Sequence, residues 1–206
     1  MSYVELADIR NWVGIQDSGD DPELDAALLS VDSVIDDYCG QRFAQDSLVV
    51  SARLFVADTT AMLRLFPSVV GDTTGLIVKT DDDGDGTFET TWSSSDYVSL
   101  PLSGVGPDGK TGWPVTGLRA DGGRAKRWPI HCDRPGVQVT ALWGWATTPA
   151  PVKLAARMLV VAWHQRRATV AGQGGFTGFF ESAVRDDPTV RDLLAPYRRR
   201  AKAQIG

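Results

Sequence analysis

The spacing of apolar residues changes twice along this chain of 206 residues, and the change limits the folds open to it. Residues 5–40 place apolar side chains at steps of three and four, as one face of a helix does. Residues 48–145 instead carry short runs of β-branched and aromatic residues, separated by Gly, Pro, Asp and Ser. Helical spacing returns after the proline-rich stretch at 147–151. This order predicts helices, then antiparallel strands, then helices.

Two helices are predicted before the strands begin. Ser2 and Glu5 have the spacing of a capping box, ahead of a short apolar stripe. A longer helix is expected to take Asp21 as its N-cap and to end at Gly40, which can adopt the left-handed conformation of a helix stop. Four aspartates form the acidic face opposite its apolar stripe: Asp25, Asp32, Asp36 and Asp37.

The middle of the chain predicts seven strands. In the last of them, Val137, Val139 and Ala141 share one side of the strand in period two. The candidate strands are "LVVSARLFVA", "AMLRLF", "GLIVKT", "TFETTW", "DYVSLP", "PVTGLRA" and "GVQVTALWGW". Because no helix separates them, an antiparallel sheet or a small sandwich is expected.

The last part of the chain predicts a helix after residue 151 and another from Asp187, with Pro196 either kinking that helix or beginning a new turn. Between them, "AGQGGFTGFF" is rich in glycine, so residues 168–186 are predicted to be a flexible linker with exposed phenylalanines.

We therefore predict an α+β fold. Residues 1–48 are too few to bury a core of their own, so they should close a helical domain together with residues 149–206. Residues 49–148 form an inserted antiparallel β module.

The net charge of −5 is unevenly distributed. Residues 1–50 carry two basic and eleven acidic side chains, whereas residues 149–206 carry ten basic and four acidic ones. Such asymmetry indicates that the two ends meet each other or meet different partners, or simply that both are solvated helix faces. The terminal "YRRRAKAQIG" could contact DNA phosphates, but the acidic remainder of the chain favours a protein partner.

The segment "KTDDDGDGTFETTW" has the aspartate density of a calcium loop. Asp81, Asp83 and Asp85 occupy the first, third and fifth positions of an EF-hand loop. The twelfth position, where calcium takes a bidentate glutamate, is Trp92, and the flanks read as strands. A β-hairpin is therefore preferred, with weak cation binding by the three aspartates as the alternative, and no cofactor is expected.

No catalytic motif is recognised, so we do not expect an enzyme. His131 and Cys132 are neighbours whose side chains point apart on an extended chain, and Cys39 lies on a predicted helix. Both cysteines are interpreted as reduced packing residues. No apolar run is long enough to cross a bilayer, and synthesis in the cytoplasm is expected.

Three stretches together resemble the head-to-tail connector (adaptor) proteins of long-tailed bacteriophages. They are "YVELADIRNWVGI" with the acidic-capped helix that ends in "CGQRF", then "VTALWGWATTPAPVKLAARMLVVAWHQRR", and finally "VRDLLAPYRRR". The resemblance covers about half of the chain, at its two ends. The β module, including the acidic hairpin, resembles the variable middle of larger members.

The resemblance implies a non-enzymatic virion protein of the neck, assembled in the host cytoplasm as a ring, dodecameric in the virion. Its partners would be the portal protein, a stopper or tail-completion protein, further copies of itself, and double-stranded DNA passing without sequence-specific contact. The acidic helix face would line the lumen or contact neighbouring subunits. The portal-docking residues would be Leu193, Leu194, Tyr197, Arg198, Arg199 and Arg200.

Two alternatives remain open on the residues. One is a tail-completion or baseplate protein. The other is a carbohydrate-binding β module on a helical base, with Trp92 or Trp113 as the sugar platform, because tryptophan rings commonly stack on sugars.

Overall fold

The computed structural model describes residues 2–14, 18–66, 68–131, 134–169 and 176–199. The chain forms two compact units, one of residues 1–43 and 148–206 and the other of residues 44–147. Within the described residues there are five α-helices and two antiparallel sheets, which confirms the predicted α+β class. No helix among these residues is long and apolar enough to cross a membrane.

The helical unit draws its helices from both ends of the chain. Gly14 and Gly40 end the first two helices with φ of +78° and +66°, as their positions predicted. The helices are α1 (Leu6–Val13), α2 (Asp21–Cys39), α3 (Ala150–Thr169), α4 (Phe176–Asp186) and α5 (Pro188–Leu194), followed by a 3-10 turn at Ala195–Tyr197.

The predicted starts of the first two helices were shifted. The capping box is wrong, because α1 begins at Leu6 with Glu5 at its N-cap position and no side-chain cap. Ser2 instead accepts a hydrogen bond of 3.5 Å from the amide of Val4. In α2 the N-cap is Asp20, one residue before the predicted Asp21.

A buried stripe on α2 packs against α3 and α4 and forms the core of the helical unit. Its members recur at helical spacing: Leu24, Ala27, Leu28, Val31 and Ile35. The ring of Phe43 lies edge-on to those of Tyr3 and Tyr197, at centroid distances of 6.0 and 5.9 Å. Segments from both ends of the chain therefore share one core.

The predicted linker is wrong over residues 168–169, which belong to α3, and over residues 176–186, which form α4. Phe180 and Val184 lie one turn apart and are both buried, so α4 has the apolar face that a packed helix needs. Glycine content misled the prediction because Gly178 lies on the exposed side of that helix. Residues 170–175 of the same prediction lie outside the described part of the chain.

The start of α5 follows the sequence prediction. Asp187 is its N-cap and accepts hydrogen bonds from the amides of Thr189 and Val190, at 2.8 and 3.2 Å. Pro196 lies in the new 3-10 turn, as expected.

The β unit contains all seven predicted strands. They are β1 (Ser51–Phe55), β2 (Met62–Arg64), β3 (Val70–Thr80), β4 (Thr90–Trp92), β5 (Tyr97–Leu100), β6 (Gly117–Ala120) and β7 (Val137–Trp143). One sheet has the order β1-β7-β3-β4 and the other β2-β6-β5.

One core lies between the two sheets of the β unit. Val139 of β7 and Val78 of β3 belong to the same buried cluster as Leu63 of β2 and Leu118 of β6. Both sheets contribute to this cluster, so the β unit is a small sandwich.

Two tryptophans stack within that core. The rings of Trp92 and Trp128 lie 4.1 Å apart and nearly parallel, and both side chains are buried. Contact between aromatic rings adds to the free energy gained by burying the two side chains.

The chain leaves the helical unit and returns to it at neighbouring residues. The hydroxyl of Thr148 donates a hydrogen bond of 2.9 Å to the carbonyl of Phe43. At the base of the β unit, the amide of Trp145 donates to the carbonyl of Ala44 at 3.2 Å.

Candidate functional site

The acidic residues of α2 do not form the single exposed face that was predicted. Asp25 and Asp37 are exposed, but Asp32 is buried and Asp36 is half-buried. The reason is Tyr3, whose amide donates a 3.0 Å hydrogen bond to Asp32 Oδ2 and whose hydroxyl donates to Asp36 Oδ1. The N-terminal segment thus covers part of the face that the sequence left open.

Burial changes the acidity of both covered carboxyls. It raises the pKa of Asp32 to about 6, although the amide of Tyr3 acts in the other direction. It raises the pKa of Asp36 to about 6 as well, against the opposing hydrogen bond from Tyr3 and the nearby Arg42. Asp32 Oδ1 is buried without a hydrogen-bond partner. These two aspartates therefore make contacts within the helical unit.

An open cavity of about 520 Å³ lies beside the exposed end of that acidic face. The guanidinium of Arg198 lies over the ring of Tyr38, 4.9 Å from its centroid. The charged residues that line the cavity are Asp37, Glu181, Arg185 and Arg198. The structure thus brings one predicted lumen residue, Asp37, close to one predicted docking residue.

The residues predicted to dock on a partner are divided between core and surface. Leu194 and Tyr197 are buried, Leu193 is half-buried and Arg198 is exposed. Leu194 and Tyr197 are thus already used inside the helical unit, and binding a partner through them would open its core.

The next residue, Arg199, is also held by the helical unit. Its amide donates a 2.8 Å hydrogen bond to the carbonyl of Cys39, and burial lowers the pKa of its guanidinium. Arg200 lies outside the described residues.

The segment "KTDDDGDGTFETTW" is a β-hairpin, as preferred from the sequence. Val78 of β3 pairs with Trp92 of β4, and the loop spans residues 81–89. Asp81 is buried and accepts hydrogen bonds of 2.7 and 2.9 Å from the amides of Gly84 and Gly86. Both glycines have positive φ, which allows their amides to converge on one carboxylate.

The hairpin brings four carboxylates together. Asp81, Asp83, Asp85 and Glu89 each offer an oxygen within 4.8 Å of the others, and Glu89 was not singled out from the sequence. Besides Asp81, the other three also accept backbone hydrogen bonds: Asp83 from the amide of Asp85, Asp85 from the amide of Thr87 and Glu89 from the amide of Asp82. These bonds stabilise the loop from within.

Asp81 is more acidic than an ordinary aspartate despite its burial. Burial acts to raise its pKa, but the amides of Gly86 and Gly84 and the nearby His131 hold the pKa below its usual value. His131 Nε2 lies 2.8 Å from the carbonyl oxygen of Asp81, and Arg134 donates to the carbonyl of Gly84 at 2.6 Å. Residues of the hairpin and of the segment before β7 thus fix the loop together.

Among the residues considered for nucleophilic chemistry, His131 and Cys39 have contacts or burial that fit a structural role. His131 is engaged with the hairpin loop, and burial raises the pKa of the Cys39 thiol to about 12, which disfavours its thiolate. Cys132 lies outside the described residues.

The sugar-platform alternative is wrong for Trp92. Its ring is 6% exposed and lies in the core against Trp128, so it has no open face for a ligand. Trp113 is half-buried and meets Trp145 edge-on at 5.0 Å.

No protein-family model matches the chain, and no curated protein matches it. Its fold is similar to that of a chain in a solved structure, the neck of an empty GTA particle computed with C6 symmetry. The TM-score is 0.54, and the match covers 98% of this chain and 92% of that chain at 16% sequence identity. At this identity the similarity is one of fold.

Proposed function

We propose that this chain is a structural protein of the neck of a phage-like particle, where it acts as a head-to-tail adaptor. The observation that carries the proposal is the similarity of fold over 98% of the chain to a neck protein of a gene transfer agent particle. That neck has sixfold symmetry, as a ring of repeated copies does. The resemblance of the two ends of this chain to phage adaptors leads to the same role independently.

In this role, copies of the chain form a ring between the portal and a stopper or tail-completion protein, and double-stranded DNA passes through the ring. Asp25 and Asp37 are the acidic residues of α2 left for the lumen or for contacts between subunits, because both are exposed. Carboxylates facing DNA repel its phosphates and keep the genome from adhering. Asp32 and Asp36 stabilise the subunit instead, through Tyr3.

Docking on the portal is assigned to the end of the chain, starting at the exposed Arg198. The burial of Leu194 and Tyr197 makes them supports for this segment. The amide of Arg199 holds the segment to the end of α2. Residues 200–206, "RAKAQIG", can therefore engage a partner while the helical core stays closed.

A truncation that removes residues 200–206 tests this assignment, since every contact of residues 187–199 described above is kept. We expect the shortened protein to keep the circular dichroism spectrum and melting temperature of the full chain but to lose binding to purified portal rings. Arg124→Ala with Arg127→Ala is the matched control, because it removes two exposed positive charges from the β unit.

The proposal also predicts which incomplete particles carry the chain. The full chain should be found on DNA-filled heads that lack tails, whereas a tail-completion or baseplate protein would be found on tails without heads. Recovery from tails only would contradict the adaptor role, and undiminished portal binding by the truncated chain would contradict the docking assignment.

A further inference from the structure

The backbone that leads to residues 200–206, the docking end of the proposed function, lies against the end of α2 and the turn that follows it. The amide of Arg199 donates a 2.8 Å hydrogen bond to the carbonyl of Cys39. The side-chain amide of Gln41 donates to the carbonyl of Tyr197 at 2.5 Å. The segment from which the docking end extends is thus bound to this one region of the helical unit.

The turn after α2, residues 40–43, depends on side chains for its position, and we call it the α2 turn. Gly40 ends the helix in the left-handed conformation, so Phe43 lies outside the helical hydrogen-bond ladder. The amide of Phe43 donates instead to the hydroxyl of Tyr3 at 2.9 Å. The same hydroxyl donates to Asp36 Oδ1 on α2. One hydroxyl therefore ties the far end of the turn to the helix.

The surroundings of Tyr3 suit this double contact. Burial raises the pKa of the Tyr3 phenol, so its hydroxyl stays protonated and keeps a donor for Asp36. Tyr3 is 6% exposed and Phe43 is 0% exposed, so water is poorly placed to replace the hydroxyl as acceptor for the Phe43 amide. Because a buried amide without an acceptor is costly, removing the hydroxyl favours opening of the α2 turn.

Phe43 contacts segments from both ends of the chain. Its ring lies edge-on to those of Tyr3 and Tyr197, at centroid distances of 6.0 and 5.9 Å. A Cβ built on Gly40 would lie 3.8 Å from the carbonyl oxygen of Arg199, so the backbone at residue 199 packs directly on the α2 turn. Displacement of the turn would therefore remove contacts of both Tyr197 and Arg199.

We propose that Tyr3 is a positioning residue for docking: through the α2 turn, its hydroxyl holds the segment from which the docking end extends. The inference rests on the proposed function, because that function assigns docking to this end of the chain. Tyr3 itself touches no partner. It raises the fraction of chains in which the docking end is correctly placed, and the affinity for a partner scales with that fraction.

Hydrogen exchange of the Arg199 amide, followed by nuclear magnetic resonance, tests this hold in the isolated chain. Tyr3→Phe keeps the ring and removes the hydroxyl, so the Arg199 amide should exchange at least tenfold faster than in the wild type. Leu24→Ala is the matched control, because Leu24 is fully buried near the other end of α2 and its truncation destabilises the helical unit elsewhere. In that variant the amides in the middle of α2 should exchange faster, whereas the Arg199 rate should change less than threefold.

A further variant separates the hydrogen bond from the charge of its acceptor. Asp36→Asn keeps an acceptor for the Tyr3 hydroxyl, so the Arg199 amide should exchange within threefold of the wild-type rate. An unchanged Arg199 rate in Tyr3→Phe would overturn the inference. Equal acceleration by Tyr3→Phe and Leu24→Ala would overturn it too, because Arg199 would then be released only when the whole helical unit unfolds.

Binding to purified portal rings, measured well below the melting temperature of each variant, tests the consequence for docking. The Kd of Tyr3→Phe should rise at least fivefold, and those of Leu24→Ala and Asp36→Asn should change less than twofold. Faster exchange at Arg199 with an unchanged Kd would contradict the positioning role. If the wild-type chain does not bind portal rings although its Arg199 amide is protected, the proposed function is wrong, and the role of Tyr3 in docking falls with it.

Discussion

The helical unit and the β unit each bury an aspartate, and the two residues respond in opposite ways. In the helical unit, burial raises the pKa of Asp32 to about 6. In the β unit, the pKa of Asp81 lies below its ordinary value although the residue is 0% exposed. Both side chains are covered from solvent, but Asp32 lies deeper among protein atoms than Asp81, so the cost of ionising it is larger.

The supply of backbone amides also differs between the two sites. Asp81 accepts from two glycine amides, one for each carboxylate oxygen, because the hairpin loop has free N–H groups and positive-φ residues that turn them inward. Asp32 lies in the middle of α2, where the amides are used by the helix itself, and it accepts a single 3.0 Å hydrogen bond from the described backbone, that of the Tyr3 amide. A loop can therefore stabilise a buried carboxylate that a helix leaves half-satisfied.

Comparing the helical unit with the β unit in this way requires that the two unfold separately. Trp128→Ala tests this, and it has the largest expected effect on the free energy of unfolding. The variant removes a fully buried ring that stacks on Trp92, and such truncations cost about 3–5 kcal/mol. Chemical denaturation is monitored by near-ultraviolet circular dichroism. In the variant, the β unit should unfold at a lower denaturant concentration than it does in the wild type. The far-ultraviolet signal of the helices should keep its wild-type midpoint.

Trp128→Phe is the control for that experiment. It keeps a six-membered aromatic ring and loses the rest of the indole, including an N–H that is buried without a hydrogen-bond partner, so its loss of stability should be smaller than that of Trp128→Ala. Equal shifts of both transitions in the alanine variant would show that the units unfold together.

Tyr3→Phe probes the helical side with an intermediate effect. The tyrosine hydroxyl donates to Asp36 and accepts from the amide of Phe43 at 2.9 Å. Its removal leaves a buried amide and a carboxylate oxygen without that partner, so we expect a loss of about 2 kcal/mol in the free energy of unfolding of the helical unit. Tyr38→Phe is the control on the same unit. A loss of stability smaller than that of Tyr38→Phe would mean that the Tyr3 hydroxyl does not hold the N-terminal segment.

The smallest expected effects are those of two matched variants, Asp32→Asn and Asp81→Asn, whose changes in stability should have opposite signs. At pH 7, Asp32→Asn should be at least as stable as the wild type, because the buried carboxyl it replaces is costly to ionise. Asp81→Asn should be less stable, because the charged acceptor of two amides is lost. Thermal melts of both variants beside the wild type provide the measurement.

The stability difference between each asparagine variant and the wild type should depend on pH, because the pKa values of Asp32 and Asp81 are shifted. An aspartate has a pKa of about 4 in an unfolded chain. Asp32, with its raised pKa, contributes stability below pH 4 that is lost as the pH rises through about 6. Asp81, with its lowered pKa, contributes stability above pH 4 that is lost as the pH falls further. A gap between Asp32→Asn and the wild type that widens toward pH 4 would contradict this assignment.

Much of the fold could be predicted from local sequence signals. Gly40 ends α2 and Asp187 caps α5 because each residue acts through its own backbone neighbourhood. The hairpin at 79–92 was predictable for the same reason, since Trp92 in place of glutamate favoured strand pairing over an EF-hand. Alternation in β7 likewise identified its buried face.

The remaining features depend on contacts between residues distant in sequence. Asp32 looked exposed because Tyr3, 29 residues away, is what covers it. Phe180 looked like a linker residue because its glycine-rich surroundings hid an apolar face that only packing on α2 reveals.

The hydrogen bond between Thr148 and Phe43 joins the two points where the helical unit is interrupted. A chain that departs and returns at adjacent residues can exchange everything between them without lengthening the path inside the helical unit. The β unit is in this sense a cassette, whose size and surface can diverge while the helical unit keeps its core. Replacing residues 44–147 by a few glycines and serines would leave a helical protein of about half the length, with both of its ends already in place.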